Sequence, residues 1–218
     1  MENFSSADAS FASLQFAGLT SPIPRERCPR DLQMLSQRGG DLHERPAVRD
    51  PLDRHHGLLD GIVIKGGEPT LHPDLPAALR EIQARGFASG LHTSGIYPRR
   101  LAAALPWLDW VRLDIKGWGM NAGLHRRQRS IWHRNIQSLA LLLDADIELE
   151  CRTILHWCTF SLRDLERLAM SLADCGVRHL VLQQCHYTLP PSGAPSDRAV
   201  DSLASRLAAH FERITVHR

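Results

Sequence analysis

Five short stretches of this 218-residue chain carry side chains with chemistry to offer. The first is Gly66-Gly67-Glu68-Pro69-Thr70, where paired glycines allow positive φ or close backbone approach to a ligand, and a carboxylate follows at once. His92-Thr93-Ser94-Gly95 supplies polar donors beside another glycine. Asp114-Ile115-Lys116-Gly117 puts an acid and a base two residues apart, on one face of an extended segment. Glu150 and Arg152 repeat that spacing, and Gln184-Cys185-His186 ends the series. A single such stretch is a helix cap or a surface group, and Gly-Gly-Glu-Pro alone reads equally well as a plain βα turn. Five in phase, each at the end of an apolar run, point to a ligand or catalytic site. Lys116, Arg152 and His186 facing Glu68 and Asp114 would suit a zwitterion with an amine and a carboxylate. Glu68 is expected to be partly exposed and to contribute little to packing.

The elements that must position these residues alternate between strand and helix. Gly61–Lys65 is a short apolar run of the buried parallel-strand kind. The spacing predicts a helix over 74–85 with Leu75, Ala78, Leu79 and Ile82 inward and Gly86 closing it. Strands are expected at 87–93, 108–115, 147–155 and 177–183, with a last one at 213–216. Helices are expected at 98–105, 130–143, 161–175 and 196–210. The helix over 130–143 turns Ile136, Leu139, Leu142 and Leu143 inward. The helix over 161–175 opens on Ser161 with Asp164 three residues on, a capping pattern. Such alternation gives a parallel sheet with outer helices. A full eight-unit barrel needs ~250 residues, so the fold class is α/β, a partial (β/α) barrel with parallel strands, with a doubly wound sheet as the alternative. Both put ligands at the carboxyl ends of the strands.

The chain divides at about residue 57. Residues 57–218 form the barrel-like domain, while 1–56 read as an irregular segment. Pro and Gly punctuate residues 21–57 too often for a long helix or central strand. Only Phe11–Ala17 has a weak strand-like alternation, and no convincing first strand follows it.

Composition excludes several classes. The 26 basic and 24 acidic residues leave a net charge of +2, too mild for a nucleic-acid partner. The basic run His125-Arg126-Arg127-Gln128-Arg129, with Arg134 behind it, reads as a solvated loop more readily than as a docking patch for an acidic partner. The longest apolar run, Leu139–Leu143, falls far short of the ~20 residues of a membrane span. Neither a basic n-region nor an apolar h-region opens the sequence, and five cysteines without a scaffold rhythm suit a reducing compartment. A soluble, cytoplasmic protein is expected.

Taken in order, Gly-Gly-Glu-Pro-Thr after a buried strand, His-Thr-Ser-Gly-Ile-Tyr-Pro, Leu-Asp-Trp-Val-Arg-Leu-Asp-Ile-Lys and Glu-Cys-Arg-Thr resemble the radical S-adenosylmethionine superfamily. Within it the chain is most similar to glycyl-radical activating enzymes, especially the activating protein of anaerobic ribonucleoside-triphosphate reductase. The likeness runs over roughly residues 57–187. It implies S-adenosylmethionine as cofactor, with Gly66, Gly67, Glu68 and Pro69 holding the methionine amino group. It places Thr93 and Ser94 near the adenosyl moiety and Asp114 and Lys116 as a cofactor-contacting pair. Arg152 and His186 match more loosely. The implied partners are a glycyl-radical enzyme such as anaerobic ribonucleotide reductase, and flavodoxin or ferredoxin as electron donor.

The family also uses a 4Fe–4S cluster held by C-x3-C-x2-C, thiolates being the ligands of such clusters. This sequence has Cys28, Cys151, Cys158, Cys175 and Cys185, and no such spacing. Cys28 is the one candidate for a last ligand in the N-terminal part. Cys151 lies in a strand, and Cys175 reads as the buried end of a helix. Cys151, His156 and Cys158 fit no zinc spacing well, so core or surface positions are preferred for them. Two alternatives to a radical enzyme follow: a cluster-less relative that binds S-adenosylmethionine or a partner protein, and an enzyme using Lys116 as a Schiff base.

Overall fold

The computed structural model describes residues 61–116, 126–157, 161–185 and 192–218, and the backbone of two short strands before them. The strands are β1 (Gln15–Phe16), β2 (Leu32–Leu35), β3 (Gly61–Ile64), β4 (Ala88–Thr93), β5 (Trp110–Ile115), β6 (Glu148–Leu155), β7 (His179–Gln184) and β8 (Arg213–His217). The helices are α1 (Leu75–Ala84), α2 (Pro98–Ala104), α3 (Arg126–Asp144), α4 (Leu162–Asp174) and α5 (Asp197–Leu207). Two compact units result, one of Met1–Thr93 with Arg99–Val111, the other of Ser94–Pro98 with Arg112–Arg218.

In the first unit β2, β3 and β4 run parallel, and β1 lies antiparallel to β2. All four residues of β3 are buried, as the unbroken apolar run requires of a strand covered on both faces. The α1 stripe of Leu75, Leu79 and Ile82 is fully packed, while Ala78 is only half-buried. Each such leucine or isoleucine contributes roughly 1.5–3 kcal/mol by leaving water. The strand Leu32–Leu35 departs from the sequence expectation. Its four residues pair in register with Gly61–Ile64, where hydrogen bonding to a neighbouring strand replaces any need for a long apolar run.

In the second unit β6, β7 and β8 are parallel, so the C-terminal segment is a full strand of the sheet. The α4 capping box forms as expected: Asp164 N donates to Ser161 Oγ at 3.2 Å, and Ser161 N donates to Asp164 Oδ2 at 3.0 Å. Its packed face is Leu165, Leu168, Ala169 and Leu172.

Two expectations about α3 need correction. Residues 126–130 are helical, so the basic run reads as the exposed first turns of α3 and not as a loop. Its buried face is Asn135, Ser138, Leu139 and Leu142, with Ile136 and Leu143 only half-buried. The four buried residues share one stripe at spacings of three and four; two of them are polar, so an apolar count rotates the face. Cys175 is likewise exposed, at the C-cap of α4, because the helix ends before the chain turns inward at Val177.

Candidate functional site

In the first unit β3 is followed, after Lys65, by two glycines. Gly66 has φ 110° and Gly67 φ 50°, a left-handed pair that residues with a Cβ adopt only at a cost. This reversal presents Glu68 at the carboxyl edge of the strand, where it caps a 3-10 turn over Pro69–Leu71. Glu68 Oε1 accepts from Thr70 N at 3.3 Å, from Thr70 Oγ1 at 2.5 Å and from Thr93 Oγ1 at 2.5 Å. Thr70 and Thr93 are buried, at 1% and 4% exposure, while Glu68 is half-buried. The carboxylate is therefore held in one orientation by hydroxyls from its own turn and from the end of β4. That makes Glu68 a structural hub of the strand ends, a larger part than the sequence alone assigned it.

In the second unit the remaining candidates form charge pairs. Arg152 on β6 grips Asp114 on β5 with two parallel bonds, Nε to Oδ1 at 2.7 Å and Nη2 to Oδ2 at 2.9 Å. Such a fork on a carboxylate is geometrically specific. One step down the same strands Arg112 Nε donates to Glu150, which is buried at 5% exposure. Glu150 thus belongs to the interior and not to the strand ends. Arg112 is missed by sequence reading, although its spacing from Asp114 matches that of Glu150 from Arg152.

Two buried α3 side chains, also missed, organise the segments around these pairs. Asn135 Nδ2 donates to Ser94 O at 2.8 Å and to Asp114 O at 3.0 Å, and its Oδ1 accepts from Lys116 N at 3.4 Å. Ser138 Oγ donates to Gly95 O at 2.7 Å. Gly95 has φ 64°, and a Cβ there would come within 2.6 Å of Leu113, so only glycine fits. The signal for Asn135 and Ser138 was present: both fall in register with Leu139 and Leu142 on one helical face.

His186 and Cys28 lie outside the described residues, as do Gly117 and Cys158. Cys151 is a core residue whose thiol is pushed up, first by burial and then by the Glu150 charge. His156 does not approach it; its neighbour is Cys185. Among the described residues no group of three or more His, Cys, Asp or Glu is arranged to hold a metal ion. With Cys151 buried, Cys175 exposed at a helix end and no C-x3-C-x2-C in the sequence, the residues present do not fit a three-thiolate cluster site. No described helix is long and apolar enough to cross a membrane.

Solved structures with this fold are known. A domain of pyruvate-formate lyase-activating enzyme from Bacteroides vulgatus superposes with TM-score 0.54 at 16% identity, covering 72% of this chain and 99% of that one. SuiB of Streptococcus suis, bound to S-adenosylmethionine, gives 0.57 at 12% identity, with 82% and 43% covered. The fold is accordingly α/β of the partial (β/α) barrel type, with parallel strands. No family model matches the chain. Two Methanocaldococcus jannaschii proteins named as glycyl-radical enzyme activating enzymes are similar in sequence, one 26% identical over 125 residues, the other 34% identical over 67. Those matches take in 54% and 31% of this chain, and only 52% and 26% of the relatives' own lengths. The chain is thus similar in sequence to proteins named as glycyl-radical enzyme activating enzymes, and its fold is that of the pyruvate-formate lyase-activating enzyme domain.

Proposed function

We propose that this chain is a cluster-less relative of the glycyl-radical activating enzymes that binds S-adenosylmethionine through the Gly66–Pro69 turn. The observation that carries this is the Glu68 carboxylate, fixed at the carboxyl edge of two parallel strands by three donors converging on one oxygen. An anion so oriented suits the ammonium of an amino-acid ligand, since the entropy of placing it is already lost on folding. Thr93 holds Glu68 in place. Ser94, Asp114, Lys116, Arg152 and His186 join the proposal on family resemblance alone.

The relatives' names support a partner of the glycyl-radical enzyme class; anaerobic ribonucleotide reductase as that partner rests on the motif resemblance alone. A radical-forming version of the function, drawing electrons from flavodoxin or ferredoxin, needs a cluster that these residues do not accommodate. No chemical step through a cluster is therefore assigned to this chain.

Calorimetric titration with S-adenosylmethionine tests the reading, using wild type and Glu68→Gln. Glutamine keeps an oxygen for Thr70 and Thr93 and removes only the charge. A charge-assisted hydrogen bond is worth roughly 1.5–3 kcal/mol, so an affinity loss of about tenfold or more is expected. Wild-type binding is expected in the roughly millimolar range, about −4 kcal/mol. No heat at millimolar ligand with wild type, or equal binding by the variant, overturns the assignment.

A further inference from the structure

The parallel register of β6 and β7 ends on the pair Leu155–Gln184. One residue further on each strand come His156 and Cys185, side by side at the carboxyl edge, the edge where parallel sheets host chemistry. Cys185 Sγ lies 3.2 Å from His156 Nδ1 and 3.7 Å from Nε2. The histidine is exposed and the cysteine half-buried, so a small reagent can reach the sulfur while the imidazole stands ready to take its proton.

The other described cysteines lack this arrangement. Cys151 is buried and held as a thiol. Cys175 is exposed at the C-cap of α4, at the end of a helix and not at the carboxyl edge of a strand. Neither the family resemblance nor the S-adenosylmethionine reading uses the Cys185–His156 contact.

We propose that Cys185 and His156 form a thiol–disulfide exchange site that accepts low-molecular-weight disulfides of the glutathione type. His156, in the tautomer protonated on Nε2, takes the Cys185 thiol proton on Nδ1. The thiolate attacks one sulfur of the disulfide, so that a Cys185 Sγ–S bond forms as the reagent's S–S bond breaks. The departing thiolate recovers the proton from the imidazolium. One disulfide is consumed and one is made, and no outside oxidant is required. Nucleophile and base within hydrogen-bond reach is the arrangement that activates a cysteine.

The test treats the full-length chain with limiting oxidised glutathione at neutral pH, then quenches, digests and maps the modified cysteines by mass spectrometry. Cys185 should react at least about a hundredfold faster than Cys175, the lower end of the range for a positioned base. His156→Gln should bring its rate down to that of Cys175. Cys151 staying unmodified in both proteins reports that the core is folded. Cys185 reacting no faster than Cys175, or a rate indifferent to His156→Gln, overturns the proposal.

Discussion

Glu68 shows how one side chain can serve a turn and a ligand together. Its Oε1 satisfies the hydroxyls of two buried threonines, so truncation does more than delete a charge. Glu68→Ala strands both hydroxyls at a cost of about 1–3 kcal/mol for each unsatisfied group, and a melting temperature several degrees lower is expected. Glu68→Gln should melt close to wild type. The contrast between the two melts separates the structural role from the binding role, and equal melts for both variants would contradict the geometry described. Asn135 makes a parallel case. It is fully buried and serves two carbonyls and one amide. Asn135→Ala is expected to cost about 3 kcal/mol in denaturant unfolding; a loss under about 0.5 kcal/mol, the range of ordinary surface changes, would show those bonds to be dispensable.

Among the elements, α4 is the one whose start is written most plainly. The Ser161 hydroxyl bond, more than any other influence, holds the Asp164 carboxyl below the usual aspartate range against the opposing effect of burial, and the Ser161 backbone amide, Arg167 and Arg163 add to it. The depressed carboxylate contributes stability that is full above the unfolded aspartate range, near pH 4, and that is lost as pH falls through the lower folded value. Ser161→Ala should therefore cost about 1 kcal/mol at neutral pH, with the gap from wild type narrowing below about pH 4. Chemical denaturation at several pH values reads this directly, and a gap that widens in acid has the wrong sign. The strand pair β5–β6 carries a different dependence. Arg112→Met leaves Glu150 charged in the interior, with an expected loss of about 3–5 kcal/mol. Adding Glu150→Leu should recover most of it, because an apolar pair of similar size does as well as a buried ion pair. No recovery in the double variant would mean that the pair holds register as well as charge.

For the whole molecule, the decisive quantity is iron. Anaerobic reconstitution with iron and sulfide should give no cluster absorption and no reduced-state paramagnetic signal. About four irons per chain with a cluster spectrum, as a full 4Fe–4S centre requires, would return the radical reading to first place and point to Cys28 with ligands not grouped among the described residues. That experiment is independent of the Glu68 titration: a chain without iron can still bind S-adenosylmethionine, and one that fails to bind it can still be an activating-enzyme relative by descent.

The sequence by itself determined what depends on near neighbours along the chain. The β/α alternation, the capping box at Ser161 and the glycine reversal before Glu68 all rest on residues within a few positions of one another. Strand-end placement followed from the same alternation, which is why Glu68, Thr93, Asp114 and Arg152 could be singled out at all. Only the tertiary structure decided which of them meet. Arg152 is committed to Asp114, Glu150 turns to Arg112 in the interior, and His156 stands beside Cys185 instead of Cys151. The face of α3 was settled the same way, by carbonyls of Ser94, Gly95 and Asp114 to which Asn135 and Ser138 donate. Local pattern assigns a side chain to a face, but its partner comes from another strand or helix many residues away. The register between those elements, and the need to pair each buried charge and carbonyl, makes that choice.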